Sequence, residues 1–136
     1  MSEVHVRVRA GGEDYALPVD GVLEVTELGE LTAVPGSSED LLGVRNLRGQ
    51  VVPVADLARL FGISVVADRE RIVVAERAGV RAGLAVESVV DVGALPPPSE
   101  AAESEYLVGA TLVDGQLVGI VDLDRLLGAL VTKGAA

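Results

Sequence analysis

The sequence predicts an all-β protein made of two tandem copies of one small barrel or sandwich. Three observations carry that expectation. Val4, Val6 and Val8 alternate with His5, Arg7 and Arg9, which is the two-residue period of a half-buried strand. Short apolar segments are punctuated by turn signals such as "GG", "DG" and "RG", at the close spacing of small antiparallel folds. Finally, the second half of the chain repeats the first.

In order, the first half offers a strand at residues 4–10, then "EDYALPV" after the "GG" turn and "VLEVTEL" after "DG". The alternation leaves His5 pointing outward from an edge-like first strand. "PGSSEDLLG" (35–43) reads as a connection, with Ser37 or Ser38 available as a cap. Residues 43–47 and 50–55 form a hairpin. "VADLARLFG" then gives one helical turn, with Asp56 as its cap, Arg59 in its last turn and Gly62 as a left-handed stop. The second half places strands near 72–76, 82–86, 89–92, 108–113 and 116–121. "ALPPPSEAAESEY" (94–106) is a stiff, exposed connector, and "VDLDRLLG" repeats the helix device with Asp122, Arg125 and Gly128.

The repeat is visible by superposition. "GVRNLRGQVVPVADLARLFG" (43–62) over "GATLVDGQLVGIVDLDRLLG" (109–128) matches at nine of twenty positions without a gap. Upstream, "ALPVDGVLEV" (16–25) lies over "GLAVESVVDV" (83–92). The expected division is one barrel-like unit over residues 4–66 and a second over 67–132, joined near "SVVADRER" (64–71).

Composition bounds the chemistry. Aromatic residues make up only 2% (Tyr15, Phe61 and Tyr106) while hydrophobic residues reach 49%, so the core is aliphatic. There is no cysteine, hence no disulfide and no thiolate. A single histidine cannot build an ordinary zinc site, and no phosphate loop or nucleophile elbow occurs. No cofactor and no catalytic activity are expected. Tyr15 is expected to pack at a barrel rim. Residues 1–66 carry ten acids and five bases, and residues 67–136 carry eleven and six, so each half is −5. That acidity opposes nucleic-acid and anionic-membrane binding. No apolar run reaches the roughly 18 residues of a membrane span, and "MSEVHVRVRA" lacks an apolar leader. A cytoplasmic protein without membrane insertion is expected.

Binding remains, and the two hairpins locate it. The second copy uses Asp114-Gly115, a favoured two-residue turn. The first has Arg48-Gly49 in the same slots, or a type I turn running from Asn46 to Gly49. In either geometry Arg48 projects into solvent with Leu47 beside it. A departure from the favoured turn residue points to function, and an exposed arginine beside leucine suits an interface anchor.

At these residues the chain resembles a known family. "GVRNLRGQVVPVADL" is similar to the "GVxNLRGxVVPVVDL" signature of CheW-like chemotaxis coupling proteins, and "EDYALPVDGVLEV" to their early "xxYxLPVxxVxEV" segment. "RIVVAERAGVRAGLAVESVVDV" and "SEYLVGATLVDGQLVGIVDLDRLL" resemble the later segments in the same order, so the likeness spans about residues 4–130. The resemblance implies two five-stranded, SH3-like β-barrels and a non-enzymatic adaptor. Such an adaptor joins the cytoplasmic tips of chemoreceptors to the regulatory domain of a chemotaxis histidine kinase, within membrane-associated arrays. It assigns receptor and kinase coupling to Asn46, Leu47, Arg48 and Gly49, with Glu24 and, on the same strand face, Val22. Pro35, Leu42 and Gly43 become a candidate kinase contact, and a groove between barrels would take the receptor's helical hairpin. The chain ends at "LVTKGAA", which leaves no room for a receiver domain. Two other readings stay open: an adaptor of a chemosensory-like pathway controlling pili or development, and a double barrel that binds a small molecule.

Overall fold

The structure, a computed structural model, describes residues 3–63 and 68–132. Ten strands follow the expected segments. They are β1 (Val4–Ala10), β2 (Glu13–Pro18), β3 (Val22–Glu27), β4 (Leu41–Leu47), β5 (Gln50–Asp56), β6 (Arg71–Arg77), β7 (Val80–Val86), β8 (Ser88–Ala94), β9 (Leu107–Val113) and β10 (Gln116–Val121). Two helices close the repeats: α1 (Leu57–Leu60) and α2 (Leu123–Thr132).

The strands form two five-stranded sheets, in the orders β8-β1-β2-β10-β9 and β3-β6-β7-β5-β4; they are called sheet A and sheet B below. The expected division at 66/67 falls on residues outside the described set, and it does not describe the sheets. Each sheet takes two strands from one repeat and three from the other. Two parallel pairings join the repeats, β10 with β2 and β5 with β7. Antiparallel pairings of β1 with β8 and β3 with β6 join them again. The repeat in the sequence is therefore a repeat of strands exchanged between two sheets.

Each sheet curls so that the segment leaving one edge meets the strand at the other. Thr32, after β3, bridges to Val44 on β4, and Glu100, after β8, bridges to Ala110 on β9. This curling overturns one expectation. His5 is 5% exposed and Arg7 9% exposed, so β1 is buried on both faces instead of alternating. Val6, Val8 and Ala10 enter the main core between the sheets. The opposite face turns into the bore of sheet A, where the Arg7 guanidinium holds the carboxylate of buried Asp14 at 2.6 Å. Arg9 reaches the same carboxylate at 3.0 Å. A buried pair of this kind stands only because both charges are matched.

The main core unites both sheets. Leu17, Leu57, Leu84, Leu126 and Leu127 are almost wholly enclosed, each worth roughly 1.5–3 kcal/mol of burial. Leu123, Leu126, Leu127 and Leu130 place the apolar stripe of α2 against β6 and β7 of sheet B. The helix that follows sheet A is thus strapped to sheet B. Gly128 lies inside α2 and does not stop it, since the helix runs on to Thr132 and Leu130, two residues on, is still buried. By contrast α1 behaves as expected. Asp56 Oδ1 accepts from Ala58 N–H at 3.2 Å, and Gly62 takes φ +78°. Asp56 is also held by the Arg69 Nε at 2.8 Å. No helix follows Ser37, whose hydroxyl donates to the Val34 carbonyl at 2.7 Å. All three aromatic rings meet where the sheets join. Tyr15 stacks on Phe61 with centroids 4.4 Å apart, and Phe61 meets Tyr106 edge-on. Burial, then the Glu13 carboxylate, push the Tyr15 pKa up to about 12, so Tyr15 packs rather than ionises.

Candidate functional site

The β4–β5 turn is the two-residue form. Arg48 has φ +52° and Gly49 φ +83°, flanked by the register pair Leu47 and Gln50. Both central residues are left-handed, as the mirror-image hairpin turn requires. The type I alternative is not adopted, although Asn46 Oδ1 does accept from the Gly49 N–H at 3.0 Å. Ala78 and Asp114 hold the matching first position of two other hairpins, with φ of 52° and 50°. The backbone strain therefore belongs to the turn, and arginine is not needed to meet it.

The Arg48 side chain is 86% exposed, and its Nη2 lies 2.8 Å from Glu24 Oε2. That pair spans the closing edges of sheet B, from the β4–β5 turn to β3. An exposed ion pair contributes about 0–1 kcal/mol, so stability does not account for it. The pair engages one end of the guanidinium and leaves the rest of its five N–H donors in solvent. Leu47 beside it is half-buried and rests on the sheet B core of Val54, Ile72, Val74 and Ala85. Glu24, Leu47 and Arg48, with Leu23, Gln50 and Arg81, line a shallow groove of about 370 Å³.

The other expected residues divide. A register shift between Val22 and Glu24 sets Val22 opposite Ala75 and Glu24 opposite Val74. The two residues therefore lie on opposite faces of β3, not on the same one. Val22 packs into the main core and Glu24 faces the groove. Leu42 is half-buried on the sheet B core. Gly43 is buried, with φ +152°, and a Cβ there would sit 2.6 Å from the Thr32 carbonyl oxygen. Its hydrogen is what lets the closing segment cross β4. Pro35 is exposed in the turn between β3 and β4.

Arg45 was not singled out by sequence reasoning, yet its Nη1 donates to the carbonyls of Glu27 and Leu28. It ties β4 to the end of β3 below the Arg48–Glu24 pair. Arg81 likewise donates to Gln50 and pairs with Glu76 at 2.8 Å. The available signal was a strand arginine in "GVRN" with no acidic neighbour in sequence. Among the described residues no group of three or more His, Cys, Asp or Glu is placed to hold a metal ion.

Comparison with known proteins adds the family context. The family model for the CheW-like domain matches residues 5–131. The chain is 30% identical to the chemotaxis protein CheW of Klebsiella aerogenes, over 88% of this chain and 78% of that one. It is also 30% identical to the protein FrzA of Myxococcus xanthus, over 88% and 81%. A solved structure, the scaffolding protein TtCheW from Thermoanaerobacter tengcongensis, superposes with TM-score 0.81 at 30% identity, covering 93% of this chain and 92% of that one.

Proposed function

The chain belongs to the family of the CheW-like domain, and from that premise we propose that it is a non-enzymatic adaptor coupling the cytoplasmic tips of chemoreceptors to a chemotaxis histidine kinase in signalling arrays. The observation that carries the reading is the exposed Arg48 guanidinium, paired at one end with Glu24, on a whole-length family fold. Asn46, Leu47, Arg48, Gly49 and Glu24 make the coupling face. Leu47 supplies an apolar shoulder and Arg48 the charge-assisted donors, the residue types that dominate interface energies. Pro35 and Leu42 offer the candidate kinase contact, with buried Gly43 beneath it, while Val22 supports β3 from its core face. The adaptor works in the cytoplasm at the receptor tips. Its recruitment runs through partners; no described helix is long and apolar enough to cross a membrane.

The test is reconstitution with receptor tips and kinase. Arg48→Glu faces Glu24 with a like charge at an exposed site, so it leaves the fold within about 1 kcal/mol of the parent. Receptor-stimulated kinase activity drops at least roughly tenfold, as for a lost interface anchor. Normal stimulation by a folded Arg48→Glu protein would sink the assignment. The 30% identity to a relative that does not carry the chemotaxis name, the protein FrzA, keeps one second reading, an adaptor for another chemosensory-type output, which the choice of kinase that responds would separate.

A further inference from the structure

Away from the Arg48 groove, each sheet carries a further groove, and the repeat places the two at equivalent positions. On sheet B the groove is about 430 Å³ and is lined by Val44, Val51, Pro53, Val80 and Arg81, with Leu130 from α2. On sheet A the residues in the matching repeat positions are Ala110, Leu117, Gly119, Glu13 and Asp14, and they line a groove of about 580 Å³. The architecture is shared and the chemistry is not. Valine and arginine on one side are replaced by two carboxylates on the other.

The sheet A groove is acidic beyond those two positions. Glu100 and Glu103, on the segment that closes sheet A, also line it. Asp14 is answered internally by Arg7 and Arg9. Glu13, Glu100 and Glu103 are exposed, and none of them is in an ion pair among the described residues. The sequence underlies this. Between Arg81 and Arg125 the chain has no lysine or arginine, while it has eight acids. The walls remain apolar. Leu117 is 52% exposed and pairs across the strands with Leu112, 54% exposed. Leu107 lines the wall beside the Tyr15 ring.

We propose that this groove docks an amphipathic helix of a protein partner that carries Lys or Arg along its rim. A helix is about 10–12 Å across and lays its apolar stripe into such a groove. Leu107 and Leu117 receive the stripe, while Glu13, Glu100 and Glu103 receive the cations. The carboxylates repel nucleic acid and anionic lipid. The site lies on the other sheet from the Arg48 face and does not depend on the coupling role.

The test is amide NMR of the full chain titrated with three synthetic peptides. One is a helix with a leucine face and a lysine face. The second has glutamate for lysine, and the third has the first peptide's composition scrambled. The leucine–lysine helix shifts Tyr15, Ala110, Leu117 and Gly119 and leaves Val44, Val51 and Val80 in place. The other two peptides bind at least about tenfold more weakly, and so does the leucine–lysine helix to Glu100→Lys/Glu103→Lys or to Leu117→Asn. Three outcomes overturn the proposal: equal shifts in the sheet B groove, scrambled peptide binding as tightly as the helix, or full binding by the double Glu variant. An unchanged amide spectrum elsewhere in each variant shows that it has folded.

Discussion

The two closing seams of the molecule do the same job with different parts. On sheet B a single backbone bridge from Thr32 to Val44 is reinforced by side chains, Arg45 on the Glu27 and Leu28 carbonyls and Arg48 on Glu24. On sheet A the backbone does more. Ser99 and Glu100 both donate to the Ala110 carbonyl, and Ala110 donates back to Glu100. The register equates Glu24 with Asp91, since Glu24 faces Val74 as Asp91 faces Arg7 at the matching step of the repeat. Arg48 is equated with Asp114 by the aligned hairpins. Sheet A thus keeps the acid and puts a second acid where sheet B has its arginine. Neither Asp91 nor Asp114 is in an ion pair among the described residues. Sheet A closes without arginine at its tip, and on sheet B the exposed Arg48–Glu24 pair adds at most about 1 kcal/mol to closure, so the rest of the guanidinium is available to a partner.

The largest effect comes from cutting the repeats apart. Residues 1–66 alone hold β1 and β2 without β8 and β10, and β3, β4 and β5 without β6 and β7. Neither set can cover its core, and short unpaired sheets are not stable alone. The isolated fragment is expected to show no cooperative urea transition. Mixing it with residues 67–136 restores one transition and the dispersed amide spectrum of the whole chain. A stably folded single fragment would break the picture of exchanged strands.

Next in size is the glycine at the foot of each seam. Gly43→Ala sets a methyl against the backbone oxygen of Thr32 at a φ that L residues rarely adopt. It is expected to cost about 2–4 kcal/mol. Gly109→Ala meets Pro98 Cβ at 2.8 Å and the Glu100 carbonyl at 2.9 Å, but its φ is not left-handed. Its cost is expected at about half as much, since only the contact and not the φ is violated. Urea denaturation of the two variants ranks them. The reverse order would place the strain in the wrong seam.

Much of this comparison was legible in the sequence. The ten strands, the hairpin turns and the Asp56 cap follow from local signals, turn chemistry and capping, that act within a few residues. What was not legible depends on pairing between the repeats. The alternation of β1 put His5 and Arg7 outside, because a two-residue period cannot tell a solvated face from the bore of a curled sheet. The exchange of strands leaves no local mark, since β5 paired with β7 reads the same as β5 paired at home. Val22 and Glu24 were set on one face because a bulge adds a residue without changing the hydrophobic pattern. The evenness of the acidity was a count by halves, which hid the base-free run from residue 82 to 124.

The smallest expected effect is the one that isolates the Arg48 pair. Asp114→Arg gives sheet A the charge pattern of sheet B, opposite the acid that already stands at Asp91. If the seams are equivalent, this variant gains a few tenths of a kcal/mol in low salt, the ordinary size of an exposed pair, and loses the gain in high salt. A double-mutant cycle of Asp114→Arg with Asp91→Ala measures the new coupling, and one of Arg48→Ala with Glu24→Ala measures the native one. Both are expected below about 1 kcal/mol. Coupling energies that agree would mean that the native pair holds no special structural weight, and that selection of arginine at residue 48 acts on what the guanidinium presents outward. A native coupling several-fold larger than the engineered one would make Arg48 a structural closure of sheet B instead of a group available to a partner.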